Sequence, residues 1–222
     1  CRLPHRVVIM AGGRGERLKP ITETCPKPMV TINDRPMLEI ILERCIKAGF
    51  HDFYFSVNYL KNQIMDYFAD GSNWGVSIKY LEEEQPLGTA GALALLPRED
   101  LRSPLLVLNG DILSDLDFGQ LLHHHYATSS DVTVCVKQQI TKLPFGIVRV
   151  KDKLVSAIDE KPSIIHHVNL GIYLLNPNLV DSIPKQTKCD MPQLLNMFIE
   201  SGMRVSEFPV YEHWIDVGNI EA

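Results

Sequence analysis

Short apolar runs alternate along the chain with longer stretches whose apolar positions fall three and four apart. The first run predicts a strand at Val7–Ala11. Pro36 then opens a helical pattern in which Met37, Leu38, Ile40, Ile41, Cys45 and Ile46 share one broad face, and Gly49 supplies a stop signal. A strand at Asp52–Val57, an amphipathic helix at Leu60–Ala69 and a third strand at Val76–Leu81 follow. Gly88–Leu96 reads as a helix of small residues. Pro104–Leu108 is a strongly apolar fourth strand, ending at Asn109-Gly110-Asp111. A helix over Asp117–Thr128 and a strand over Asp131–Lys137 complete the first half. Alternation of β and α patterns implies a mainly parallel sheet with helices on both faces.

The rhythm changes after Val136. Gly146–Lys151 and Leu154–Asp159 predict a hairpin turning at Lys151-Asp152-Lys153, and His167–Leu175 another strand. Met191–Ser201 reads as a helix, Arg204–Pro209 as a strand and Glu212–Val217 as a short terminal strand. The expected architecture is mixed α/β in one domain over 1–222. Roughly 5–140 forms an alternating β/α half, and 141–222 a β-rich half. Cys1 stands where a starting Met is expected, and 217–222 runs into what reads as another element. Both features predict a longer protein, in which a regulatory domain is one expectation.

Bulk properties narrow the classes. The chain has 222 residues, 45% hydrophobic and 22% charged, as in an ordinary globular protein. A net charge of −5 gives no basic surface for nucleic acid. No apolar run is long enough to span a bilayer. Five scattered cysteines form no CxxC pair, so reduced thiols in a cytoplasm are expected rather than zinc. His123, His124 and His125 point in different directions on a helix, which predicts a solvated face rather than a metal cluster.

Chemistry concentrates after the first strand, in Ala11–Met29, which reads AGGRGERLKPITETCPKPM. Closely spaced glycines let backbone N–H groups approach an anion, and arginine offers a fork suited to phosphate oxygens. A P-loop needs GK[ST] after its first glycine, and none is present. A dinucleotide fingerprint needs a third glycine after Gly13-Arg14-Gly15, but Leu18 stands there and Pro20 soon interrupts. In open α/β sheets ligands bind beyond the carboxyl ends of the strands. Asp111 and Asp216 are both expected there. Two carboxylates with substrate phosphates meet the needs of Mg²⁺. Leu18–Pro26 reads either as a mobile flap or as a fixed connector.

The chain resembles the sugar-1-phosphate nucleotidylyltransferases, whose opening motif runs GGxGxRLxPxTxxxPKP. Gly12–Thr22 and Pro26-Lys27-Pro28 follow it, then Pro86–Gly91, Asn109-Gly110-Asp111, Phe145-Gly146, Glu160-Lys161-Pro162, Asn169-Leu170-Gly171 and Trp214–Gly218 in the family's order. The resemblance implies a Rossmann-like nucleotidyltransferase fold with a β-rich sugar-binding part. It implies a Mg²⁺-dependent reaction of a nucleoside triphosphate with a sugar-1-phosphate, giving an NDP-sugar and pyrophosphate. Arg17, Lys27 and Asp111 take the catalytic positions, and Asp111 and Asp216 the metal positions. Ala11, Gly12, Gly13, Arg14, Gly15, Glu83, Gly88 and Thr89 fall at nucleotide-binding positions, although Arg14 occupies a variable place in the motif. Gly146, Glu160, Lys161 and Asn169 fall at sugar-phosphate positions.

Glu83 favours GTP. An ionised carboxylate only accepts hydrogen bonds, and guanine offers it two adjacent donors where uracil offers one beside two carbonyls. The pattern is also closest to guanylyltransferases acting on mannose, heptose or hexosamine phosphates. A uridylyltransferase, a non-catalytic nucleotide-sugar-binding regulator and a dinucleotide-dependent oxidoreductase are the alternatives. A homo-oligomer is a further expectation.

Overall fold

The computed structural model describes residues 2–219. In chain order its strands and α-helices are β1 Arg6–Met10, β2 Thr31–Ile32, β3 Arg35–Pro36, α1 Met37–Lys47, β4 Asp52–Val57, α2 Lys61–Phe68, β5 Ser77–Glu82, β6 Leu105–Asn109 and β7 Ile112–Ser114. They continue as α3 Phe118–Ala127, β8 Val132–Lys142, β9 Ile147–Lys151, β10 Leu154–Asp159, β11 Ser163–Leu175, α4 Met191–Glu200, β12 Val205–Pro209 and β13 Trp214–Asp216.

A 7-stranded sheet in the order β12-β8-β11-β6-β1-β4-β5 forms the centre. Its strands run parallel apart from β11, which is antiparallel to both β6 and β8. Alternation along the central strands feeds two cores. Val7 and Ile9 of β1 join Leu38, Leu42, Ile64 and Leu121 from α1, α2 and α3. Val8 faces the other way, to Leu194 and Phe198 of α4. Helices therefore cover both faces. The β1 residues are fully buried, and each such side chain contributes about 1.5–3 kcal/mol relative to exposure. Helix α1 ends as its sequence dictates. Gly49 takes φ +103°, and the Phe50 and Gly49 N–H groups bond back to Cys45 and Ile46 carbonyls.

Several expectations need correction. Gly88–Leu96 is not an α-helix, and only a 3-10 turn forms, over Gly91–Leu95. The Ala90 and Gly91 N–H groups both donate to the Cys189 carbonyl, which diverts them to a partner a hundred residues away. Strands β8 and β11 are also longer than their apolar cores, reaching Lys142 and Ser163. They continue through the β9–β10 hairpin as a projecting two-stranded ribbon, with Asp152 and Lys153 both at positive φ in its turn.

The triple histidine is not one solvated face. His123 is exposed and His125 buried. Nε2 of His125 lies 3.2 Å from Asn176 Oδ1 and Nδ1 lies 2.8 Å from Thr133 Oγ1, so the neutral ring donates at one end and accepts at the other. Burial lowers the pKa of His125 and of His5 below the ordinary 6.5, and for His5 the neighbouring His125 adds to the effect. As pH falls below 6.5 the unfolded chain takes up protons at these positions before the folded one does. Stability is then lost between that value and the lower folded pKa values. The melting temperature is expected to fall from pH 7 to pH 5, and His125→Asn to flatten that slope. Differential scanning calorimetry across this range checks both, and an unchanged slope in the variant contradicts the assignment.

Candidate active site

The carboxyl ends of β1, β4, β5 and β6 open onto a cleft of about 390 Å³. The loop after β1 forms one wall, and two of its glycines are required by the local structure. A Cβ at Gly12 would lie 2.9 Å from Glu83 Oε1. Gly15 has φ +63° and packs on the Lys27 stem and Thr22. Gly13 has open space around it. Arg17 lines the cleft. Arg14 does not: its guanidinium lies over the Tyr59 ring, 5.7 Å from the centroid. Ala11 is buried beneath the loop and donates its N–H to the Ser56 carbonyl. The 18–26 stretch is tethered. Thr22 is buried with its hydroxyl on the Gly15 carbonyl, while Tyr59 and Gln63 hold the Glu23 and Thr24 carbonyls. That favours the connector over the flap.

Lys27 and Asp111 form an ion pair at the cleft floor. Gly110 makes the position possible. A Cβ there would lie 2.6 Å from the Met10 carbonyl, which also accepts the Gly110 N–H. Asp216 arrives from the far end of the sequence. Strand β13 pairs with β7, setting Asp216 against Ile112, and Val217 N–H donates to the Asp111 carbonyl. The Asp216 carboxylate accepts the Gly218 N–H at 2.8 Å. A Cβ at Gly218 would meet both Lys27 Nζ and Asp216 Oδ1, so these groups converge on one point.

Two hard carboxylates with a cation already held on one of them fit a magnesium ion. Among the described residues no group of three or more His, Cys, Asp or Glu gathers as an all-protein cage. An ion that takes its other ligands from phosphate and water needs none.

The opposite wall carries Glu83, Gly88 and Thr89. Glu83 is 7% exposed, so it is not an acidic residue facing bulk water. Its carboxylate accepts the Ser56 hydroxyl on one oxygen and the Leu87 N–H, at 2.8 Å, on the other. Each oxygen keeps a further lone pair. Gly88, at φ +78°, lies against the Cys189 carbonyl and Asp190, where a Cβ would stand 2.7 and 2.5 Å away. Asp190 also accepts the Thr89 N–H, and the Thr89 hydroxyl accepts the Met191 N–H at 2.8 Å. Ser56 and Asp190 escaped sequence reasoning. Signals existed: Ser56 is the sole polar residue in the run Phe53–Val57, and Asp190 with Gln193 spells a helix capping box.

The positions assigned to the sugar-phosphate lie apart from this lining. Gly146 and Glu160 meet at the root of the hairpin, with 3.0 Å between Glu160 Oε2 and an added Gly146 Cβ. Lys161 is exposed, at φ +47°, its ammonium 3.8 Å from Glu160. Asn169 sits where the β11 register shifts and accepts the Gly171 N–H. Gly171 in turn lies against Asn109, two residues before Asp111.

A family model described as Nucleotidyl transferase matches residues 6–222. The chain is 31% identical to the probable mannose-1-phosphate guanylyltransferase 1 of Oryza sativa subsp. japonica, over 96% of this chain and 61% of that protein. It is 30% identical to the UTP–glucose-1-phosphate uridylyltransferase of Synechocystis, over 97% of this chain and 60% of that one. The chain thus spans about three-fifths of the length of the curated relatives it matches. The crystal structure of HddC from Yersinia pseudotuberculosis complexed with GMP-PN superposes with a TM-score of 0.75 at 24% identity, covering 97% of this chain and 95% of that one.

Proposed function

The chain belongs to the nucleotidyl transferase family, and from that premise we propose that it condenses GTP with a sugar-1-phosphate to give a GDP-sugar and pyrophosphate. The observation that carries this reading is the convergence of the Gly12–Gly15 loop, Arg17, the Lys27–Asp111 pair and Asp216 at one end of the sheet. A phosphate oxygen of the sugar attacks the α-phosphorus. A new P–O bond forms, the bond to the β-phosphate oxygen breaks, and pyrophosphate leaves. Such chemistry asks mainly for alignment and charge neutralisation. Alignment alone can supply roughly 7–11 kcal/mol of the barrier.

The loop N–H groups at Gly12, Gly13 and Gly15 cradle the triphosphate, and Arg17 holds the departing pyrophosphate. Lys27 offsets charge developing at the α-phosphate. Asp111 and Asp216 would hold Mg²⁺, which supplies further neutralisation of the phosphates when bound. Lys161 takes the sugar phosphate, with Gly146, Glu160 and Asn169 around the sugar. A cytoplasmic setting agrees with the unpaired state of Cys25, Cys45, Cys135 and Cys189. No helix among the described residues is long and apolar enough to cross a membrane.

Guanine is supported by the names of the relatives and by the carboxylate of Glu83 at the cleft wall, whose remaining lone pairs face a donor-rich base better than uracil. The Synechocystis relative favours uracil as the second reading. Turnover of GTP, UTP, CTP and dTTP with a panel of hexose-1-phosphates decides between them. GTP is expected to exceed the others at least tenfold in kcat/KM, and equal or better turnover of UTP sinks the guanine assignment.

A further inference from the structure

Ser56 stands near the carboxyl end of β4 and is fully buried. Its backbone is fixed on both sides. It pairs with Met10 of β1 and Leu81 of β5, and its carbonyl takes the Ala11 N–H. Tyr54, two residues earlier, and Leu81 on the neighbouring strand belong to the core beneath α4. A hydroxyl buried at the edge of such a core is costly unless it is hydrogen-bonded.

The Ser56 hydroxyl donates to Oε1 of Glu83. Further contacts immobilise that glutamate. Its Oε2 accepts the Leu87 N–H at 2.8 Å, and the Asn58 amide donates to its carbonyl at 2.8 Å. Oε1 also lies so near the loop after β1 that a Cβ at Gly12 would stand 2.9 Å from it. Ser56 and Glu83 both line the cleft, together with Gly88.

We propose that Ser56 is a positioning residue that sets base selectivity, an inference that rests on the guanine reading of the cleft. Its hydroxyl holds the Glu83 carboxylate in the plane where both oxygens meet the N1–H and 2-amino donors of guanine together. Each oxygen spends one lone pair on the protein and keeps another for the base. Two parallel hydrogen bonds need a fixed acceptor plane, and a freely turning carboxylate loses that freedom on each binding event. Ser56 removes the loss in advance, because its own strand is locked between β1 and β5. The effect therefore falls on nucleotide affinity and selectivity rather than on the chemical step.

Steady-state kinetics with GTP and inosine triphosphate test the proposal, each with a sugar-1-phosphate accepted in the substrate panel. Inosine triphosphate keeps the N1–H and lacks the 2-amino group. The wild-type chain is expected to favour GTP over it about tenfold in kcat/KM. Ser56→Ala is expected to raise KM for GTP about tenfold, to leave kcat within about twofold and to change KM for inosine triphosphate much less, so that the discrimination collapses. Glu83→Ala is expected to abolish the discrimination, and adding Ser56→Ala to it to change nothing further. A wild-type chain that turns over UTP as well as GTP removes the guanine reading and this inference with it. Where GTP is preferred to UTP, three results overturn the role of Ser56 alone. One is a wild-type chain that takes inosine triphosphate as well as GTP. Another is unchanged discrimination in Ser56→Ala. The third is a loss in Ser56→Ala that falls on kcat or equally on both nucleotides, which marks a merely structural part.

Discussion

Replacing Asp111 by asparagine is expected to lower kcat by about a thousandfold or more and to leave the fold intact, because the charge acts on the phosphates rather than on the core. Asparagine keeps the shape of the side chain. The turn at Gly110 and the Val217 N–H bond to the residue 111 carbonyl involve only backbone. What disappears is one of two carboxylates beside the phosphate site and the ionic partner of Lys27. The two side chains are mostly buried, so weakening the pair costs more than a surface ion pair would, on the order of 1–3 kcal/mol in stability, with the new amide oxygen still able to accept from Lys27. Steady-state kinetics and thermal melting separate the two effects. Manganese titration followed by electron paramagnetic resonance adds a readout independent of turnover, with weaker binding expected in the variant. Wild-type kcat in Asp111→Asn contradicts the metal-holding role.

Lys27→Met carries the second large effect. Methionine preserves the stem that packs on Gly15 and removes only the ammonium. A donor that acts on charge developing in the transition state is worth about 10²–10³ in kcat, with a smaller change in KM for the triphosphate. Arginine is not expected to restore activity. The ammonium is a compact point charge set close against Gly218 and Asp111, and a longer, planar guanidinium fork places its charge differently. A kcat within a few-fold of wild type in Lys27→Met removes this residue from the chemistry.

The parts of the molecule that were legible in sequence are those whose cause is local. Strand β4 occupies Asp52–Val57 as its apolar run predicts, and α1 starts after Pro36 and stops at Gly49 for reasons contained within a few residues. The glycine loop was readable because only glycine satisfies the positive φ of Gly15 and the close approach of Gly12 to Glu83. Contacts made across the fold were not readable. The turn of residues 88–96 depends on the Cys189 carbonyl, and the orientation of Glu83 on Ser56 from the adjacent strand. The pairing of β13 with β7 joins Asp216 to Asp111 across the whole second half of the chain. Residues 138–142 lack the alternation of a half-buried strand, because the ribbon they extend has no core beneath it. The terminal strand shrank to Trp214–Asp216 for want of a longer partner than Ile112–Ser114.

One sample followed by phosphorus NMR tests the central claim most directly: the chain, GTP, a sugar-1-phosphate accepted in the substrate panel, and magnesium. The account predicts that sugar-1-phosphate and triphosphate signals decay together while pyrophosphate and a nucleoside diphospho-sugar rise in equal amounts. It predicts that added pyrophosphate drives the reaction backwards. Release of orthophosphate, or consumption of the triphosphate with the sugar-1-phosphate signal unchanged, contradicts it.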